Sequence, residues 1–238
     1  MNGRILLLRS GSAGPEEEAQ PSDVTVLHTH AVEPSPTGVA EALAFDPTGA
    51  ALVVSSKETV RVLLPLFPLR FALVVAVGEG TGDLLRRVNI GEARLVVPEV
   101  PGAAGVLQRL RRSPSAFPKR ILWPHGSDAA AAPFEEIRSL GFSLVAPVVY
   151  AKKALSPSSL DSSVVAEFAA GRFGAVAVGS TAGLDVLLAA VPSPPPVRWG
   201  VLGPETAKAL AARKLPAPVV PPRARLADLL ELLRKETS

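Results

Sequence analysis

The chain has 238 residues, enough for one large domain or two small ones and for a sizeable buried core. Hydrophobic residues make up 47%, aromatics 5% and charged residues 20%, with a net charge of +3, which excludes a disordered chain. The absence of cysteine excludes disulfides, thiolate metal sites, iron–sulfur clusters and a cysteine nucleophile. No apolar run approaches the roughly 18 residues of a membrane span, and MNGRILLLRSG is too short in apolar residues for a signal-peptide core. A cytoplasmic protein is expected. Basic residues are scattered, and runs such as Arg109, Arg111, Arg112 lack interleaved aromatics, which argues against a nucleic-acid surface.

In chain order, strands are expected at 4–8 (RILLL), 24–28 (VTVLH), 51–54 (ALVV), 72–77 (ALVVAV), 93–97 (ARLVV), 120–123 (RILW), 143–150 (SLVAPVVY), 174–178 (GAVAV) and 199–202 (WGVL). Most are continuously apolar rather than alternating, as strands buried on both faces of a parallel sheet are. Amphipathic stretches lie between them at Lys57–Leu64, Asp83–Val88, Ala104–Arg111, Phe134–Leu140, Ser162–Ala170, Glu205–Ala212 and Leu226–Arg234. The expected class is α/β, built from βα units.

An internal repeat sharpens this. RILLLRSG (4–11) matches RILWPHGS (120–127), VSSKETVRVLL (54–64) matches VGSTAGLDVLL (178–188), and VGEGTGDLL (77–85) matches LGPETAKAL (202–210). The pairs keep their order at a spacing of about 120 residues, which reads as a duplication giving two similar flavodoxin- or Rossmann-like lobes rather than a solenoid. The strand-to-helix turns are rich in small hydroxyl residues and glycine: Ser55–Ser56, Gly78 to Gly82, Gly126–Ser127, Gly179 to Thr181 and Gly203 to Thr206. Each can present helix-start N–H groups to a carboxylate or phosphate, so their repetition suits a ligand with several anionic groups.

Individual residues carry competing readings. Gly78, Gly80 and Gly82 form G-x-G-x-G, not the dinucleotide fingerprint, and suit a turn and helix start better than a nucleotide site. His28 and His30 share one face of a strand but lack a nearby third metal ligand. No G-x-S-x-G supports a serine nucleophile. Tyr150, the only tyrosine, is expected at the carboxyl end of its strand, as a proton donor or as an amphipathic cap. Ser56 with Ser180, and Thr81 with Thr206, occupy equivalent positions in the repeat, as helix caps or as ligand-holding groups. Arg9 ends the first strand as a carboxylate partner or a surface arginine.

The ordered set of elements resembles the uroporphyrinogen-III synthase family over residues 4–233: RILLLR with Arg9, LVVSSKETV, VGEGTGDLL, then ILWPHGS…EEIRSLGFSLVAPVVY, VAVGSTAG and VLGPETAKAL. Leu8–Arg9 stands where the family has Thr-Arg, Val178–Gly179–Ser180 where it has Phe-Thr-Ser, and His125 where arginine is common.

The resemblance implies two lobes, 1–32 plus 152–238 and 37–148, joined by hinge strands near 24–36 and 145–152. It implies cyclisation of hydroxymethylbilane with inversion of ring D and loss of water, without metal or organic cofactor. Tyr150 would be the acid, and Arg9, Ser56, Thr81, Ser127, Ser180, Thr181, Gly203 and Thr206 would hold the substrate's carboxylates beside the turn amides. A monomer, functionally coupled to hydroxymethylbilane synthase, with no nucleic-acid or membrane partner, is expected. The rivals are a non-catalytic two-lobed cytoplasmic binder or sensor of a polyanionic small molecule, and a nucleotide-dependent enzyme.

Overall fold

A computed structural model describes residues 3–11, 21–66, 70–88, 95–223 and 225–235. The chain divides into two compact units, Met1–Ala31 with Lys153–Ser238, and Val32–Lys152.

In the first unit, β1 (Ile5–Ser10) lies between β10 (Ala175–Val178) and the part of β2 (Val24–Pro34) up to Ala31, with β11 (Arg198–Val201) outside β10. All of these pairings are parallel. Successive residues of a strand point to opposite faces, and here both faces are covered. Leu6, Leu8, Val176 and Val178 join Phe168, Leu184, Leu187 and Trp199 in one core. Ile5, Leu7, Ala175 and Ala177 meet Leu229, Leu230 and Leu233 of α9 (Leu226–Lys235) in the other. The helices α6 (Ser162–Ala169), α7 (Thr181–Ala190) and α8 (Pro204–Ala212) complete the unit.

Asp23 ties α9 to the entrance of β2. Arg234 donates to both carboxylate oxygens, at 2.7 and 2.9 Å, and these hydrogen bonds hold the Asp23 pKa below the usual carboxylate value. A depressed folded-state pKa gives stability that is present above the ordinary aspartate range and is lost as the pH falls through the depressed value. Asp23→Asn is therefore expected to cost about 0.5–1 kcal/mol at neutral pH, since the pair is partly solvated. Denaturant midpoints of variant and parent should converge in acid.

In the second unit, β3 (Ala51–Val54) is flanked by β4 (Leu73–Ala76) and β6 (Arg120–Leu122), with β5 (Leu95–Val96) beyond β4 and β8 (Ser143–Val145) beyond β6. This sheet is also wholly parallel. Leu52, Val54, Val74, Ala76 and Leu122 face one core and Ala51, Val53, Val75, Ile121 and Trp123 the other. Helices α1 (Pro36–Leu43), α2 (Lys57–Leu63), α3 (Glu79–Arg87), α4 (Ala103–Arg112) and α5 (Ala132–Ser139) cover it. The α/β class with parallel sheets agrees with the sequence reading.

Three details differ from that reading. The stretch 143–150 is two strands, β8 and then β9 (Val148–Ala154), because Pro147 has no N–H for a ladder and restricts Ala146 before it. A two-residue strand, β7 (His125–Gly126), pairs in parallel with β9. Helices α1 and α7 lie outside the amphipathic stretches. Of the strand expected at 93–97, residues 93 and 94 lie outside the described residues.

Candidate active site

Tyr150 is the third residue of β9, not its last, because the break at Pro147 starts a new strand just before it. The residue is only 2% exposed and belongs to the buried cluster that holds Val54, Leu122 and Val149. Among the described residues one polar group meets the phenol: Ser56 Oγ lies 2.8 Å from the Tyr150 hydroxyl. Ser56 is held there because it is the N-cap of α2. Its extended backbone turns the chain from β3 into the helix, and its Oγ accepts the Thr59 N–H at 3.1 Å. Thr59 Oγ1 is also 3.1 Å from Ser56 Oγ.

The ring has a backbone floor. A Cβ added to Gly126 would sit 2.7 Å from Tyr150 Cε2 and Cζ, so glycine lets the phenol lie against β7. Ser127 donates its backbone N–H to the Tyr150 carbonyl at 2.9 Å, while its side chain is exposed. Beyond the ring, Lys152 donates to Asp128 at 3.2 Å. Burial pushes the Tyr150 pKa above the ordinary tyrosine value; the Ser56 hydrogen bond and Lys152 pull it down, and Asp128 and Glu58 push it up. A phenol held neutral at physiological pH still has its proton to give.

Thr81, in the first turn of α3, is buried, and its N–H donates to the Gly78 carbonyl at 3.1 Å. Gly78 caps α3 with no side-chain bond, in an extended conformation open to any residue. The second unit thus joins Ser56, Ser127 and Tyr150 directly and leaves Thr81 on a separate helix.

In the first unit, Ser180 repeats the geometry of Ser56. It caps α7 with an extended backbone, and its Oγ accepts the Gly183 N–H at 3.2 Å. Thr181, half-buried, is the first residue of that helix. Gly203 caps α8 and Thr206 lies half-buried in its first turn. Arg9, on β1 beside β10, accepts the Thr29 hydroxyl on its carbonyl at 3.0 Å.

Three participants escaped sequence reasoning. Thr59 follows Ser56 at the i+3 spacing of a capping pair, which is a readable signal. Lys152 shares a face of β9 with Tyr150 through the strand period of two. Asp128 has no signal in the sequence. The histidines serve local bonding. His28 Nδ1 is 2.7 Å from the Gly11 carbonyl, His30 Nδ1 is 3.0 Å from Thr29 Oγ1, and His125 stacks on Phe134 with centroids 4.6 Å apart. Among the described residues, no group of three His, Asp or Glu side chains is placed to hold a metal ion, and no helix is long and apolar enough to cross a membrane.

Residues 16–231 match a family model described as uroporphyrinogen-III synthase HemD. No curated protein sequence matches the chain significantly. Among solved structures, the chain is similar to a uroporphyrinogen-III synthetase from Helicobacter pylori, at 18% identity and a TM-score of 0.60, over 98% of this chain and 99% of that one. It is also similar to a mutant uroporphyrinogen III synthase from the extremely thermophilic bacterium Thermus thermophilus, at 15% identity and a TM-score of 0.51, over 98% of each chain.

Proposed function

The chain belongs to the uroporphyrinogen-III synthase family, the cyclising lyases of haem biosynthesis, and we propose that in its reaction Tyr150 gives the proton on which a hydroxyl leaves hydroxymethylbilane as water. The observation that carries this is the buried phenol of Tyr150, hydrogen-bonded to a half-buried serine at a strand-to-helix turn. Closure then joins the chain ends with ring D inverted. Spontaneous closure gives the uninverted isomer, so holding the substrate's shape matters as much as protonation.

The substrate's eight carboxylates are held by amides at the starts of α2, α3, α7 and α8, by the backbone around Ser127, and by Arg9. Helix-start N–H groups carry a partial positive charge and need no dense basic patch, in keeping with a net charge of +3. No metal or organic cofactor takes part.

The same reading has two lobes, 1–32 plus 152–238 and 37–148, with β2 and β9 as a two-stranded hinge. Within the first unit Leu155 donates its N–H to Thr29 at 3.0 Å, and within the second Ser35 donates to Val149 at 2.9 Å. Both fit an antiparallel ribbon. A duplicated origin is supported by strand order, β11-β10-β1 in one unit against β4-β3-β6 in the other, and by the matching caps Ser180 and Ser56. The protein acts as a cytoplasmic monomer supplied by hydroxymethylbilane synthase.

The test supplies freshly generated hydroxymethylbilane to the purified protein and separates isomers I and III of the oxidised product. Protein-dependent isomer III is expected. Isomer I at the protein-free rate would replace this reading with a non-catalytic binder of polyanions.

A further inference from the structure

From the geometry around Tyr150 we infer that Ser56 is a catalytic proton relay, the outlet through which the buried phenol reaches the substrate, and that Thr59 is its positioning residue. The inference rests on the reading of Tyr150 as the acid. It follows from counting donors and acceptors. Tyr150 is almost wholly buried, and among the described residues its hydroxyl meets no polar atom other than Ser56 Oγ. The acid reading requires that Tyr150 donate to Ser56, whose contact with Tyr150, at 2.8 Å, is shorter than its 3.1 Å contact with Thr59 Oγ1.

Ser56 Oγ has two lone pairs and one hydrogen. The Thr59 N–H occupies the first lone pair and Tyr150 the second. Its single hydrogen then points to Thr59 Oγ1, 3.1 Å away, when no substrate is present. Ser56 is half-buried whereas Tyr150 and Thr59 are buried, so Ser56 is the most accessible member of the chain Tyr150–Ser56–Thr59. An acceptor oxygen arriving there takes the hydrogen that Thr59 holds in its absence.

The step balances. The Ser56 Oγ–H bond breaks and its proton joins the departing hydroxyl, whose C–O bond breaks with the electron pair going to water. At the same time the Tyr150 O–H bond breaks and its proton passes to Ser56 Oγ. Tyr150 is left as a phenolate, and the positive charge left on the substrate carbon spreads onto its pyrrole nitrogen. The proton that the substrate loses on ring closure returns by the reverse route. A serine that only held a substrate carboxylate would donate the same hydrogen without receiving one from Tyr150, and this separates the relay from simple substrate binding.

The two roles are distinguished by kinetics on the full chain. Glycine is an adequate N-cap, so Ser56→Gly removes the hydroxyl at little cost to the helix. The relay predicts kcat lower by about 10- to 100-fold with KM little changed, recovery in Ser56→Thr, and a double variant with Tyr150→Phe no slower than Tyr150→Phe alone. A raised KM at unchanged kcat, or losses that multiply in the double variant, would overturn it. An independent readout needs no turnover. Tyr150 is the only tyrosine, so protein labelled with ¹³Cζ-tyrosine gives one resonance that reports the hydrogen bond at its oxygen. That resonance should move in Ser56→Gly and return in Ser56→Thr; an unmoved resonance removes the hydrogen bond and the relay with it. If Tyr150→Phe keeps near-normal turnover while the resonance behaves as expected, it is the acid assignment that fails, with the hydrogen bond intact.

Discussion

Tyr150→Phe should form isomer III at least about 100-fold more slowly than the parent, on the scale of a lost general acid, while remaining folded. The substitution removes one oxygen and keeps the ring, so its place in the buried cluster that holds Val54, Leu122 and Val149 and the contact with Gly126 persist. Ser56 loses a hydrogen-bond partner but still caps α2 through the Thr59 N–H. The expected stability change is that of one hydrogen bond, about 1 kcal/mol. Thermal melts and single-turnover isomer analysis on the same preparation separate the two effects. A variant that melts like the parent and still makes isomer III at the parental rate would place the proton donor elsewhere.

The direction of the Tyr150 pKa fits this role. A catalyst that protonates a leaving hydroxyl must hold its proton at working pH and release it only as charge develops. Burial supplies the first condition by raising the phenol's pKa. Lys152 and the Ser56 hydroxyl supply the second, since both favour the phenolate that forms. Asp128 opposes it, and the Asp128–Lys152 ion pair places the two influences side by side on one flank of the ring. A substrate carboxylate that drew Lys152 away from Asp128 would change both at once.

What the sequence discloses here follows from which face of each element carries information. β1, β3, β4 and β10 are buried on both sides, so their uninterrupted apolar runs stand out, and their bounds fall within a residue or two of expectation. Helix α1 buries only Gly38 and Ala42, small residues that leave no apolar stripe to read. Helix α7 has the opposite character. TAGLDVLLAA is apolar nearly all round, with Leu184, Val186 and Leu187 buried, so it lacks the contrast that marks a surface helix. The two-residue strand β7 is defined only by its partner β9. At the site, helix-start residues were legible because serine and glycine mark turns wherever they fall. The contact that matters, Ser56 to Tyr150, joins residues 94 apart in sequence through a loop and a strand. No local pattern encodes it.

Of the glycines packed against β9, Gly38 is the least forgiving, and Gly38→Ala should be the most damaging single-methyl change near the site. A Cβ there would lie 1.8 Å from the Val148 carbonyl oxygen and 2.6 Å from its carbon. Both are backbone atoms of β9, so no side chain can rotate away. Either α1 lifts off the strand, straining the Ser35 to Val149 hydrogen bond, or β9 shifts and carries Tyr150 with it. Overpacking of this kind costs about 3 kcal/mol or more, and denaturant melts should show it directly. Gly80→Ala is the control. That glycine is also helical, in α3, but its added Cβ would meet only the flexible end of the Lys57 side chain, Cε at 3.3 Å and Nζ at 3.9 Å. There the better helix propensity of alanine, worth up to about 1 kcal/mol, should leave stability unchanged or raised. Equal losses at the two positions would mean that backbone propensity, not the approach of α1 to β9, governs the response. A loss confined to Gly38→Ala, accompanied by slower turnover, would mean that the seat of the Tyr150 strand is set by the absence of one methyl group.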